Sequence, residues 1–474
     1  MRCKNGFELY RLLVYNGKKL LDRRGIAVLR AFAALSQDRR VRYGALSIFL
    51  FAPLLPEWLA PLTTLFAFIL FFRYARSQSI LITPRNQQIL AVIFLCWQFL
   101  GIPRSNYRIS SLVFSLLWSL MFLGFLTVSN LLTDEGSLRG AVVAITLCGG
   151  IVGCIAVGQI FLFHFGGYIN ESLRTFFNPF WGKADVFLAD IAVNRLLPDK
   201  ILALLPVHAP VQARERANST FSNPIFLACY SLMVLPLSVY CFSNGKTWKK
   251  KLILAVCVVA CVGGIAASYS RGAYLSVIVV VFVMLFMGWK QALGIVVASP
   301  VFLWLFPSGV YRRLLSLLNL RDFSVVTRSR IWEICIALLK EHWVWGLGPG
   351  AENIRHILIE RGEIHQPHAH NLVLQLFLEG GIIGIALFVA VIIWTFIDLI
   401  VVCFRSKKGR PLAVALLAGL TGLLVFGFFD YVLYGAKILQ FFMMYLGLAM
   451  AVKSVYGKKN ADAEESTEPM INVA

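Results

Sequence analysis

An all-α bundle of membrane-spanning helices is the fold this sequence predicts, and three observations predict it. Hydrophobic residues make up 58% of the 474 and charged residues only 15%. The mean hydropathy is +0.74. The apolar residues gather into runs approaching the roughly 20 residues that cross a bilayer, whereas a soluble domain of this length would intersperse them with charge.

Taken in order, the candidate spans are 44–58, 61–72, 88–101, 109–131, 139–163, 219–242, 250–268, 271–287, 289–306, 380–403, 411–429 and 436–453. Pro53, Pro56 and Pro61 interrupt the first block, so it reads as a re-entrant hairpin or one kinked span, giving about 10–12 spans in all. A basic segment, 1–42, precedes the membrane domain of 43–456, and residues 457–474 form an acidic tail whose composition predicts disorder. Segment 1–42 is too polar and basic to be a cleaved signal.

The formal charge of +21 is explained by topology and needs no nucleic acid. Residues 1–42 carry eleven Lys or Arg, and short basic loops recur at Arg73, Arg76 and Arg85, at Lys246 and Lys249 to Lys251, and at Arg405, Lys407, Lys408 and Arg410. By the positive-inside rule all of these are cytoplasmic. Twelve spans then put both long hydrophilic segments, 164–218 and 307–371, on the outer face of the cytoplasmic membrane. Eight of the ten cysteines fall in spans and read as small core residues. Neither paired-cysteine metal spacing nor a nucleotide-binding P-loop is present.

Five of the seven histidines lie in 307–371, three of them in the run HQPHAHNLVLQLFLEGG from His365 to Gly381. An imidazole exchanges protons near neutral pH, so chemistry is expected there. Three arginines share that face. Arg216 precedes the STFSNP turn, Arg271 sits in SYSRGAY at the start of a span where a charge is costly, and Arg330 opens RIWEICIALLKEH. In that last stretch Ile331, Trp332, Cys335, Leu338, Leu339 and His342 follow helical spacing, which predicts an amphipathic helix on the membrane surface or over a cavity. GLGPG at 346–350 follows; no strand precedes it, so it reads as a turn.

In this order the pieces resemble the O-antigen ligase and polymerase family of bacterial envelope glycan enzymes. The resemblance covers about 214–403: the arginines before STFSNP, Ser270 to Gly272, Arg330 with Trp332, GLGPG, and HNLVLQLFLEGGIIG from His370. The chain departs where the family usually has Gly-Asn-Pro-Asn and this sequence has Ser222, Asn223, Pro224 and Ile225, and where a usual proline is Trp343. The resemblance implies an inverting, metal-independent glycosyltransferase without cofactors. Its donor would be a glycan on undecaprenyl pyrophosphate, and its acceptor a glycan, lipid or protein at the outer face. Arg216, Arg271 and Arg330 would clamp the pyrophosphate, because guanidinium forks bind phosphate bidentately and stay charged. His370 would be the general base, with His368, Trp332, Asn371 and Glu379 in support.

Duller roles stay open at this stage. His370 would also serve as a helix cap, Arg271 as a headgroup anchor, Arg216 as a surface charge, Arg214 as a solvated one, and Glu379 as a helix-end residue or an arginine's partner. His365, His368 and His370 would suit a metal, although no nearby carboxylate or cysteine in the sequence completes the set. A small-anion permease would also line a cavity with arginines, but the spans are nearly free of the mid-membrane ionisable groups such a protein uses. Ligase and polymerase share these motifs.

Overall fold

A computed structural model describes residues 43–47, 51–78, 84–165, 216–288, 323–362 and 367–457. The expected span at 289–306, segment 1–42, nearly all of 164–218 with Arg214, His365 and the tail lie outside the described residues. Those described are helical, without strands. The helices are α1 Ala60–Ser77, α2 Asn86–Gly101, α3 Arg108–Leu131, α4 Glu135–Phe165, α5 Pro224–Ser243, α6 Trp248–Ala267, α7 Arg271–Phe286, α8 Phe323–His342, α9 Glu352–Glu360, α10 Leu372–Arg405, α11 Arg410–Gly427 and α12 Ala436–Tyr456.

Among the described residues nine helices are long and apolar enough to cross a membrane, and α7 is a shorter apolar one. The chain is therefore an all-α polytopic bundle. Two of the expected spans are irregular. Across 44–58, where a re-entrant hairpin or one kinked span is expected, residues 43–47 are helical and short 3-10 turns follow at Ala52–Leu54 and Glu57–Leu59, because Pro53 and Pro56 deny the backbone its donors. The span expected at 380–403 corresponds to the part of α10 that follows a break at Gly381, and a further helical stretch from Leu372 precedes that break. Helices α5 and α12 are the most enclosed and α1 the least, so the core runs along α5, α11 and α12. Close crossing depends on small residues: a Cβ on Gly153 of α4 would stand 2.1 Å from the Ala260 carbonyl oxygen of α6.

The bundle has two polar ends. At one, Arg85 reaches the Met450 carbonyl and Ser454, Lys453 and Gln87 meet Asp398, and Lys408 meets Glu135. The other end gathers the loops around His370, Asp430, Arg216 and Arg104, linked by bonds such as Asn371 to Phe428 and Arg216 to Ser268.

A break in α10 shapes this second end. Gly381 has φ 63° and ψ −166°, conformations that only glycine adopts readily. The break frees carbonyls that would otherwise bond one turn on, and the GLGPG turn takes them up. Leu347 N–H donates to Leu378 O at 2.7 Å and Gly348 N–H to Glu379 O at 3.1 Å, while the Trp97 indole donates to Gly380 O at 2.7 Å. Two glycines permit this contact: a Cβ on Gly346 would lie 2.6 Å from Glu379 O, and one on Gly381 would lie 2.1 Å from Val344 O. Gly381→Ala should therefore cost at least about 1–3 kcal/mol from backbone strain alone. Gly380→Ala meets only Trp97, at an ordinary 3.6 Å, and should cost less. Thermal unfolding of both variants in detergent checks this, and equal midpoints would show that the Gly381 break carries no special strain.

Candidate active site

The site is built around the turn that leads into α10. Asn371 caps that helix, its Oδ1 accepting the Leu374 N–H at 3.0 Å. Capping is thus the work of Asn371, not His370. His370 itself has φ 49°, a left-handed conformation that histidine tolerates better than bulky or branched residues. It is held there from both sides of Ala369. The Ala369 N–H donates to Gln375 Oε1 at 2.9 Å, and the Trp332 indole donates to the Ala369 carbonyl at 3.0 Å. Beneath the turn, Ile331, Cys335 and Leu338 of α8 pack with Ile354, Leu358, Ala369 and Leu378 in a second apolar core. The amphipathic spacing of α8 thereby serves to seat the histidine turn. Burial among these residues pushes the Cys335 thiol up to about 12, so it is an inert core group.

Opposite the turn lies Asp430, buried in the short loop between α11 and α12. Its Oδ1 accepts the Tyr431 N–H at 2.9 Å and stands 3.3 Å from His370 Nδ1 and 3.8 Å from His368 Nε2. Its Oδ2 faces the Arg328 guanidinium at 3.6 Å. Burial alone would raise this carboxyl. The hydrogen bond and charge of His370, then His368 and Arg328, more than reverse that and hold it below its ordinary range. Asp430 is thus a carboxylate. Donating Nδ1–H to it leaves His370 Nε2 as the basic nitrogen, and His370 is 17% exposed against 2% for His368.

The two histidines are not equivalent. His368 Nδ1 accepts the His370 backbone N–H at 3.2 Å, and its ring lies 4.8 Å from that of Tyr434. Burial first, then the neighbouring His370 and Arg328, push it down to about 3, against the opposing pull of Asp430. It is neutral and structural at physiological pH. The sign follows from the depression: below about pH 6.5 the unfolded chain takes a proton that folded His368 refuses, so this group lowers stability as the medium acidifies.

The arginines separate into two groups. Arg216 Nε donates to the Ser268 carbonyl at 2.6 Å, and Ala217 N–H donates to Ala267 O at 2.9 Å. This places Arg216 beside the turn that ends at buried Arg271, the first residue of α7. Its neighbour Gly272 packs so closely on Phe429 that a Cβ would lie 2.8 Å from the Phe429 Cβ. The start of α7 thereby packs on the loop that carries Asp430, and Arg216 packs on the turn just before α7. On α8, Arg328 is the arginine that faces Asp430, while Arg330 is exposed.

Glu379 sits elsewhere. It is buried at the α10 break, with Oε1 accepting from Gln375 Nε2 at 2.7 Å, and it supports the turn through Gln375. Lys437, also buried, donates to Pro53 O at 3.0 Å and to Thr220 O, and its ammonium lies 4.6 Å from the centre of the Phe221 ring. With the Ser222 to Glu57 bond, it pins the STFSNP turn to the two 3-10 turns that precede α1.

Residues 256–389 match the family described as O-antigen ligase. The resemblance read from the motifs holds over that segment. It includes Arg271, Arg328, Arg330, Trp332, the GLGPG turn, His368, His370 and Glu379, and it leaves out Arg216 and Asp430. No curated protein matches the chain. The motifs did not reveal Asp430, Arg328, Gln375 or Lys437. A signal for Asp430 was present, since it is an acidic residue in the short loop between the last two spans, on the side where the histidines were expected.

Proposed function

We propose that this chain transfers a glycan from an undecaprenyl-pyrophosphate carrier to an acceptor hydroxyl at the outer face of the cytoplasmic membrane. The observation that carries the reading is the buried Asp430 carboxylate 3.3 Å from His370 Nδ1, on a turn clamped from both sides. The carboxylate fixes the ring and stabilises the imidazolium that forms, while Nε2 accepts the proton. The acceptor oxygen attacks the anomeric carbon, and the C1–O bond to the pyrophosphate breaks with inversion. The electron pair leaves on the carrier phosphate, where Arg216 and Arg271 balance the charge. The carrier linkage supplies the energy. The basic loops collect at the bundle end opposite His370, which supports an outer placement of the site.

One arrangement favours a second reading. His368, His370 and Asp430 offer metal-ligating atoms within 4.8 Å of one another, and two imidazoles with a carboxylate suit a transition metal. The hydrogen-bonded dyad is preferred because Arg328 faces the same carboxylate and the His370 backbone occupies His368 Nδ1. Purified protein in liposomes, given undecaprenyl-pyrophosphate glycan and an acceptor, should form the transferred product with or without EDTA. Absence of product with every glycan, lipid and protein acceptor offered would refute the transferase. Loss with EDTA and recovery with zinc would hand the site to a metal.

A further inference from the structure

The end of the bundle that carries His370 also holds a second concavity, of about 460 Å³, between the loop after α2, the end of α8 and α9. Arg104, Asn106, Glu341, His342, Trp343 and Trp345 line it, a volume in the range of small-ligand sites with a rim more polar than most. Part of this wall is fixed in place. The ring of Trp345 stacks on Trp97 at 5.2 Å and 14°, and the Arg104 guanidinium lies 4.1 Å from its centre. Buried Asn353 accepts the Asn106 N–H at 3.2 Å and donates to Ser105 Oγ at 2.8 Å. The Trp343 indole differs. It is 54% exposed, its carbonyl is held by Ile382 N–H at 2.8 Å, and among the described residues its ring N–H and the Glu341 carboxylate have no hydrogen-bond partner.

We propose that this cleft binds a carbohydrate, namely sugars of the transferred glycan or its acceptor remote from the reacting bond. A pyranose presents a face of C–H groups and a rim of hydroxyls. The electron-rich indole face suits the first, and planar carboxylate, guanidinium, imidazole and amide groups suit the second. An acyl chain would gain nothing from the charged rim, and a bare phosphate would meet Glu341 as well as Arg104 and leave the indole face unused. Helix α8 runs from Arg328, beside Asp430, to His342 in the cleft, about 21 Å at roughly 1.5 Å per residue. A sugar held there is several units from the bond being made, so the cleft selects long glycans over short ones. This inference rests on the glycan-transfer reading above and adds where the chain is held.

The test uses the full chain in nanodiscs. The probe is the source cells' surface polysaccharide, freed of lipid by mild acid and measured by equilibrium dialysis. Wild type should bind it saturably, Trp343→Ala roughly 10-fold more weakly, and Glu341→Gln should also bind more weakly. In transfer, Trp343→Ala should lower the ratio of long-glycan to single-unit product about 10-fold. Wild type that fails to bind the polysaccharide, or both variants binding it as wild type does, overturns the cleft. Trp343-dependent binding without transfer under any condition keeps the cleft and sinks the transferase reading. Transfer with an unchanged length ratio in Trp343→Ala sinks the cleft alone.

Discussion

His370→Gln is expected to lower glycan transfer by roughly 100-fold to 10,000-fold, the range that general-base catalysis contributes, with donor binding little changed. Glutamine keeps the bulk and a hydrogen bond toward Asp430, so the turn clamped by Trp332 and Gln375 should stay folded. What it loses is a nitrogen that takes a proton. Asp430→Asn should impair transfer through the same ring, because an amide facing His370 Nδ1 permits the wrong tautomer and no longer balances the imidazolium. Its diagnostic is a displaced acid limb of the pH–rate profile, which a purely structural aspartate would not produce. Normal turnover in His370→Gln removes the base assignment. Lost activity in Asp430→Asn with an unshifted profile reduces Asp430 to a scaffold residue.

Arg271→Lys should cost about 2–4 kcal/mol of transition-state stabilisation, roughly 30-fold to 1,000-fold in rate. Charge is retained. The planar two-point contact with a phosphate is not. Arg271 is 8% exposed at the start of α7, beside the loop that carries Asp430, so desolvation strengthens whatever contact it makes with the leaving group. Arg330→Lys should do less, because Arg330 is exposed on α8 and Arg328 is the residue turned toward Asp430. Initial rates at saturating donor, with protein level measured in parallel, decide the order. Full activity in Arg271→Lys would make that arginine a membrane anchor, and a larger loss in Arg330→Lys would move the clamp to α8.

Composition and apolar run length by themselves determined that this protein is an all-α membrane bundle, since any run that long must satisfy its own backbone in lipid. Local pattern placed the amphipathic helix at Ile331 to His342, the start of α7 at Arg271, and the histidine turn ahead of α10, because each depends on residues a few positions apart. The prolines near 53–61 announced a disturbance but not its form. Only the tertiary structure decided which groups meet. Asp430 is 60 residues beyond His370 and outside the segment that carries the family motifs, so no local spacing links them. It also chose Asn371 over His370 as the cap, brought Arg328 to the carboxylate, and gave Glu379 Gln375 as its partner. These choices turn on helix rotation and on the break at Gly381, and a rotation of one residue, about 100° around a helix, exchanges which side chain faces the site.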